Sequence, residues 1–194
     1  MKKFLSDKYN LSSTFKCHPF YEYNCTKADK INRVAISRID FDKHTDIILK
    51  ANKILSDSNK ITVYGAKNDL YVYHHLKNKL NLDINENYGG NFKKSFTELN
   101  DILNKAIFAV DLSAIKNDGG GSQYTFLEAI YQNAVLVLNK KWIDNCKTPF
   151  VHGVNCLIVE NEKELVDIIN NNINVKMISE NAKKLLMPHV EVLW

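Results

Sequence analysis

Cysteine is scarce in this 194-residue chain. The four present, Cys17, Cys25, Cys146 and Cys156, form no C-x-x-C pair, and no histidine falls at metal-ligand spacing from any of them. That argues against zinc and for reduced thiols, the state expected in a cytoplasmic protein. No run of about 18 apolar residues occurs, so no transmembrane helix is expected. The start, Met1-Lys2-Lys3-Phe4-Leu5, is basic but lacks the apolar stretch of a signal peptide. Arginine is nearly missing: of 26 basic side chains only Arg33 and Arg38 are arginines. Where lysine serves everywhere else, an arginine marks a place that needs a planar, two-pronged donor. Also missing are a G-x-G-x-x-G after the first strand and a Walker A Gly-Lys-Ser/Thr. These absences argue against a nucleotide-dependent oxidoreductase and a P-loop enzyme. No acidic cluster ends the first strand, which argues against a flavodoxin-like receiver. There is no internal repeat and no low-complexity linker.

What is present fits one domain of ordinary size: 45% of the residues are hydrophobic, enough for a core without staples. The net charge of +4 is too small to argue for a nucleic-acid partner by itself. Residues 1–30 read as an approach segment, interrupted by Pro19, with no firm element beyond a short strand near Phe15. From residue 31 onward short apolar runs alternate with helical periodicity. Strands are expected at 33–37, 61–64, 107–112, 134–138 and 155–159, with a short strand or turn at 88–92. Helices are expected at 45–55, 69–82, 98–103 (capped by Ser95 or Thr97), 124–131, 163–170 and 179–186. Continuous apolar strands between helices mean a parallel sheet covered on both faces. The expected fold is therefore α/β, a Rossmann-like doubly wound parallel sheet over residues 31–194. Ligands of such sheets bind beyond the carboxyl ends of the strands, which points at the loops 37–45, 64–68 and 113–123.

Three features in those loops carry chemistry. Arg38 and Lys43 are spaced Arg-x-x-x-x-Lys between a strand and a helix, where two cations can reach one polyanion. Taken alone, they also read as two solvated loop cations. Gly119, Gly120 and Gly121 precede Ser122, Gln123, Tyr124 and Thr125 at the start of a helix. Three glycines let backbone come close to a phosphate, and the helix aims free N–H groups at it, though a glycine-rich stretch also serves as a plain turn. Glu128 lies among Phe126, Leu127, Ala129 and Ile130. It is either a solvated helix-face residue or a carboxylate that accepts hydrogen bonds from a vicinal diol such as ribose.

Together the order of these features resembles the C-terminal, donor-binding domain of GT-B glycosyltransferases of the glycosyl transferases group 1 type. The match runs from about Arg33 to Trp194 and ends in Gly153-Val154-Asn155-Cys156-Leu157-Ile158-Val159, similar to that family's Gly-x-Asn-Gly-Leu-Leu-Val strand. The resemblance implies retaining transfer of a hexose from a nucleoside-diphosphate sugar, UDP- or GDP-linked, without metal or other cofactor. Arg38 and Lys43 would bind the diphosphate and stabilise it as it leaves. Glu128 would bind the ribose, as the second residue of a Glu-x7-Glu motif. Gly121 to Thr125 would meet the phosphate and sugar. Gly65 matches a glycine closing the second strand, and Gly90-Asn91-Phe92 a segment near the nucleobase.

There are departures. The first Glu of Glu-x7-Glu, which touches the transferred sugar, falls on Gly120, with Asp118 nearby. A glycine closing the Leu-Glu-Ala helix is replaced by Asn133, which tolerates the left-handed conformation next best. A whole GT-B enzyme has two such domains. The resemblance therefore implies a partner, an N-terminal acceptor domain in cis or trans, with residues 1–30 as linker and the chain alone incomplete or inactive. His18, His44, His74, His75, His152 and His189 match no catalytic position. The stretch Gln123 to Glu128 also looks like a helix of phage DNA-modifying α-glucosyltransferases, for which the acceptor would be nucleic acid. A non-catalytic binding module on the same fold is the other alternative.

Overall fold

Five strands lie where short apolar runs are expected, and a sixth, short one takes up the strand-or-turn at 88–92. The computed structural model describes residues 2–10, 12, 17, 19–23, 28–91, 95–114, 124–145 and 148–191. The strands are β1 (Asn32–Ile36), β2 (Ile61–Tyr64), β3 (Tyr88–Gly90), β4 (Ala106–Asp111), β5 (Val135–Asn139) and β6 (Leu157–Val159). They form one sheet in the order β3-β2-β1-β4-β5-β6, every pairing parallel. The chain winds outward from β1 in one direction, returns to β4 and winds outward in the other. That order puts a topological switch between β1 and β4.

The helices are α1 (Lys2–Tyr9), α2 (Thr45–Asn52), α3 (Phe96–Asn104), α4 (Tyr124–Tyr131), α5 (Lys140–Asn145), α6 (Glu162–Asn170), α7 (Val175–Lys183) and α8 (Met187–Val190), with a π-helix at Tyr71–Lys79. Alternation along the strands feeds two cores. Ala35, Val63, Val110, Val137 and Val159 point to one face, beneath α2, α6 and the π-helix. Val34, Ile36, Leu136 and Leu138 point to the other, beneath α3 and α4. Both faces are dry, so β5 is buried at every position.

Five elements differ from the sequence reading, among them α8, which lies beyond the last helix expected at 179–186. A helix, α1, forms at Lys2–Tyr9, ahead of Pro19 and clear of it. The reading places nothing at α5, yet the Asn139 side chain that ends β5 accepts from Lys141 N at 2.9 Å and starts a helix at once. Asn174 caps α7 through Met177 N, so that helix begins at Val175 rather than 179. The helix at 69–82 is wound mainly as a π-helix, seated on Asn68, whose side chain accepts from Leu70 N and Tyr71 N. Of the two caps considered for α3, Ser95 is the one used, through Glu98 N at 3.2 Å. The strand near Phe15 lies outside the described residues.

The segment before β1 docks on the α3–α4 face. Phe20 is 3% exposed, and its N–H donates to His189 O at 3.0 Å. The Tyr23 hydroxyl donates to Asn100 at 2.8 Å, and the Tyr131 hydroxyl donates to Tyr23 O at 2.6 Å. The described part contains no helix long and apolar enough to cross a membrane.

Candidate functional site

Arg38 leaves β1 two residues after its last rung, and its loop is tied down on both sides. Ile39, 1% exposed, is the plug: its N–H donates to Ala66 O at 2.9 Å and its carbonyl accepts from Asn68 N at 3.0 Å. Asp40 adds two bonds, accepting from Phe41 N at 2.8 Å and Asn68 Nδ2 at 2.9 Å. With Ile39 inward, Arg38 is turned outward. Its side chain is 67% exposed and lies 3.4 Å from Asp40 and 3.9 Å from Asp42.

Lys43 faces the other way, with its side chain only 12% exposed. Its ammonium donates to Ser113 Oγ at 2.9 Å and lies 3.7 Å from Asp42. Ala114 N donates to Asp42 O at 2.9 Å, so backbone and side chain both bind this loop to the exit of β4. Ser113 is 3% exposed; its hydroxyl donates to Asp111 Oδ1, as does its N–H at 2.9 Å. The two cations expected from the Arg-x-x-x-x-Lys spacing thus sit on one loop at the switch between β1 and β4.

Gly65 has a reason of its own to be glycine. Its φ is +138°, and a Cβ there would lie 1.9 Å from Ser37 O. The exits of β1 and β2 touch at this point, with Ser37 N donating to Tyr64 O. Gly65 N donates to Gly90 O at 3.0 Å, and Gly65 O accepts from the Tyr88 hydroxyl at 2.9 Å. Phe92 lies outside the described residues, and so do Gly119, Gly120, Gly121, Ser122 and Gln123. Thr125, in the first turn of α4, lines a small cleft with Asp111, Ile36 and Leu136. This brings the start of α4 to the carboxyl ends of β1 and β4. Tyr124 is turned to the N-terminal segment, its ring 5.7 Å from Phe20.

Glu128 is 5% exposed, and burial pushes its carboxyl up to about 7. Among the described residues its carboxyl makes no hydrogen bond or ion pair. A solvated helix-face residue is therefore not what stands here. A carboxyl without a partner is costly to bury, and near neutral pH it holds its proton for part of the time. Asn133, after α4, has φ +60°, the left-handed conformation anticipated for the residue closing this helix.

Sequence reading missed Ser113 and Asp111, although Asp-x-Ser at a strand end is a turn in which one side chain captures the next N–H. It also passed over Asp40 and Asp42, which interleave the two cations. His44 stands at φ +47° between Lys43 and α2. Burial lowers its pKa; Asp46 and Asp42 act upward on it, Lys141 and His75 downward. His152 is occupied, its Nδ1 accepting from Ile158 N at 2.9 Å. Among the described residues, no group of three His, Cys, Asp or Glu is placed to hold a metal ion.

No protein-family model and no curated protein matches the chain. Solved structures match its fold. S. aureus TarM, solved with UDP and alpha-GlcNAc-glycerol, superposes with a TM-score of 0.66 at 15% identity over 96% of this chain and 38% of its own. The C-terminal domain of a glycosyl transferase group 1 family protein, LpcC of Francisella tularensis, gives 0.61 at 17% over 86% of this chain and 90% of its own. Anabaena HepE, solved with UDP, gives 0.61 at 17% over 81% of this chain and 44% of its own. The chain thus spans about two-fifths of the length of TarM and has the fold of a GT-B C-terminal domain.

Proposed function

We propose that this chain is the donor-holding domain of a retaining GT-B glycosyltransferase of the hexosyltransferase class. It binds a nucleoside-diphosphate sugar, UDP- or GDP-linked, across the carboxyl ends of β1 and β4. The observation that carries this reading is the loop of Arg38 and Lys43, docked through Ser113 to the exit of β4, just before the glycine-rich stretch. Two cations fixed at a topological switch suit a diphosphate, and they stabilise it most when it departs with its full charge. Glu128, buried and unpartnered, receives the ribose diol. TarM and HepE, which share the fold, were each solved with UDP.

Arg38 and Lys43 are the catalytic cations. Gly65, Phe92, Gly120, Gly121, Ser122, Gln123, Tyr124 and Thr125 complete the donor contacts, and the reaction uses no metal. The acceptor site belongs to a second, N-terminal domain supplied in cis or trans, with residues 1–30 as the run-in to a donor domain at 31–194. Free thiols at Cys17 and Cys156 suit a cytoplasmic setting. Gly120, where a sugar-binding Glu is expected, favours a second reading in which the chain binds the nucleotide sugar without transferring it.

Calorimetric titration with UDP- and GDP-sugars tests the proposal. Binding is expected with one of them, and Arg38→Ala with Lys43→Ala is expected to abolish it. No heat with any of them at millimolar ligand, or unchanged affinity in the double variant, overturns the reading. Slow hydrolysis of the bound donor separates a transferase from the binding module.

A further inference from the structure

We infer that Ser113 and Asp111 are positioning residues that hold the Lys43 ammonium where a diphosphate meets it; this rests on the function proposed above. A serine hydroxyl has one proton, and here it goes to Asp111 Oδ1. What Ser113 Oγ offers Lys43 is therefore a lone pair, and Lys43 Nζ donates to it at 2.9 Å. Asp111 Oδ1 also accepts from Ser113 N at 2.9 Å, which fixes the turn and with it the hydroxyl. Ser113 is 3% exposed, so no water competes for the bond.

The arrangement solves a problem that a lysine poses. Its stem is flexible, and an ammonium left free in water loses entropy when it is later immobilised on a phosphate. A direct carboxylate partner would hold it, but a diphosphate would then have to displace a full negative charge. A neutral hydroxyl holds the ammonium more lightly and occupies one of its three protons, leaving two for the ligand. Asp111 supplies its negative charge one bond further back, where it orients the hydroxyl, while the carboxylate that does face the ammonium, Asp42, stands off at 3.7 Å, beyond hydrogen-bond distance. Ala114 N, bonded to Asp42 O at 2.9 Å, keeps the two loops in register while this happens.

The test is a double-variant cycle on the 194-residue chain, read by NMR shift titration with UDP and, separately, uridine. Ser113→Ala is expected to weaken UDP about tenfold and to leave uridine unchanged, while Ser113→Thr retains UDP affinity. In a Lys43→Ala background, Ser113→Ala is expected to have no further effect, because the cation it positions is gone. A purely structural serine would weaken UDP and uridine alike and would act equally in both backgrounds; either result overturns the inference, as does wild-type affinity in Ser113→Ala. Should Ser113→Ala not fold, Asp111→Ala carries the same cycle, since it removes the acceptor that aims the hydroxyl. Failure of the unaltered chain to bind either UDP or GDP is a different outcome and overturns the functional reading itself.

Discussion

Arg38 and Asp40 face each other across 3.4 Å on the same loop, and Asp42 approaches both Arg38 (3.9 Å) and Lys43 (3.7 Å). The cations assigned to the diphosphate are thus already partly neutralised. The two acids are not equivalent. Asp40 also builds the loop through Phe41 N and Asn68, whereas the Asp42 carboxylate, among the described residues, accepts no backbone hydrogen bond and pairs with the two cations. Asp42→Asn is therefore expected to tighten diphosphate binding about two- to fivefold with little change in melting temperature, an exposed ion pair being worth under about 1 kcal/mol. Titration with UDP at low and at 0.5 M salt checks it, and the gain is expected to shrink with salt. Weaker binding by Asp42→Asn would mean that the carboxylate places the cations instead of competing for them.

Glu128 makes stability depend on pH in a defined window. Its carboxyl sits near 7 in the fold against 4.5 for an ordinary glutamate, because burial penalises the ion. Between those values the folded chain binds more protons than the unfolded one, so stability falls as pH rises from about 4.5 to about 7 and stays lower above. Glu128→Gln never ionises. At pH 8 it is expected to be more stable than the unaltered chain by roughly 1–2 kcal/mol, a figure reduced for residual solvent screening. Urea unfolding at pH 5 and pH 8 is the measurement; a difference no larger at pH 8 than at pH 5 refutes the burial argument. A diol donates to a carboxylate better than to a neutral carboxyl. Affinity for a ribonucleotide is accordingly expected to rise through pH 7 more steeply in the unaltered chain than in the variant.

Gly65 is the tightest point on the rim. An alanine Cβ would meet Ser37 O at 1.9 Å, and the backbone φ of +138° is itself unsuited to any side chain. Gly65→Ala is expected to cost about 3 kcal/mol or more, since neither loop can move without breaking the Ser37–Tyr64 and Gly65–Gly90 hydrogen bonds. The contrast is Gly153→Ala, also at positive φ (+73°) but with open space around its Cβ, expected to cost about 1 kcal/mol. Equal losses in thermal unfolding would show that φ and not the close approach governs Gly65.

The strands were legible because a buried parallel strand is a continuous apolar run, and 61–64 needs nothing beyond its own four residues. The helix at 124–131 was legible for a similar reason. Contacts between distant residues were not. Lys43 and Ser113 are 70 positions apart, and no local pattern says that an ammonium will choose that hydroxyl. The Arg-x-x-x-x-Lys spacing located the cations, while the inward plug of Ile39, which turns Arg38 outward and lets Lys43 fold back, depends on the neighbouring β2 exit. At α5 the decisive signal was a single side chain, Asn139, closing a strand and capping a helix together. Residues 1–30 show the same limit: Phe20 and Tyr23 look like any apolar residues near a proline until α4 and α8 supply their partners.

Phe20 tests whether that N-terminal segment is part of the folding unit. Its ring lies 5.3 Å from Tyr131, 5.7 Å from Tyr124 and 6.3 Å from Tyr23, and its N–H donates to His189 O. The cluster backs α4, the helix that carries Glu128 and starts beside the glycine-rich stretch. Truncating a buried phenylalanine leaves a void that rigid aromatic neighbours fill poorly, so Phe20→Ala is expected to cost about 3–4 kcal/mol. Ile31→Ala, at a position 63% exposed, is expected to cost under about 0.5 kcal/mol. Urea unfolding of the two variants gives both numbers. If Phe20→Ala unfolds like Ile31→Ala, the segment only lies against the domain. If it unfolds as expected, part of the assigned linker belongs to the core of the domain. Strain there would reach the proposed ribose site at Glu128 through α4, and nucleotide affinity should fall together with stability.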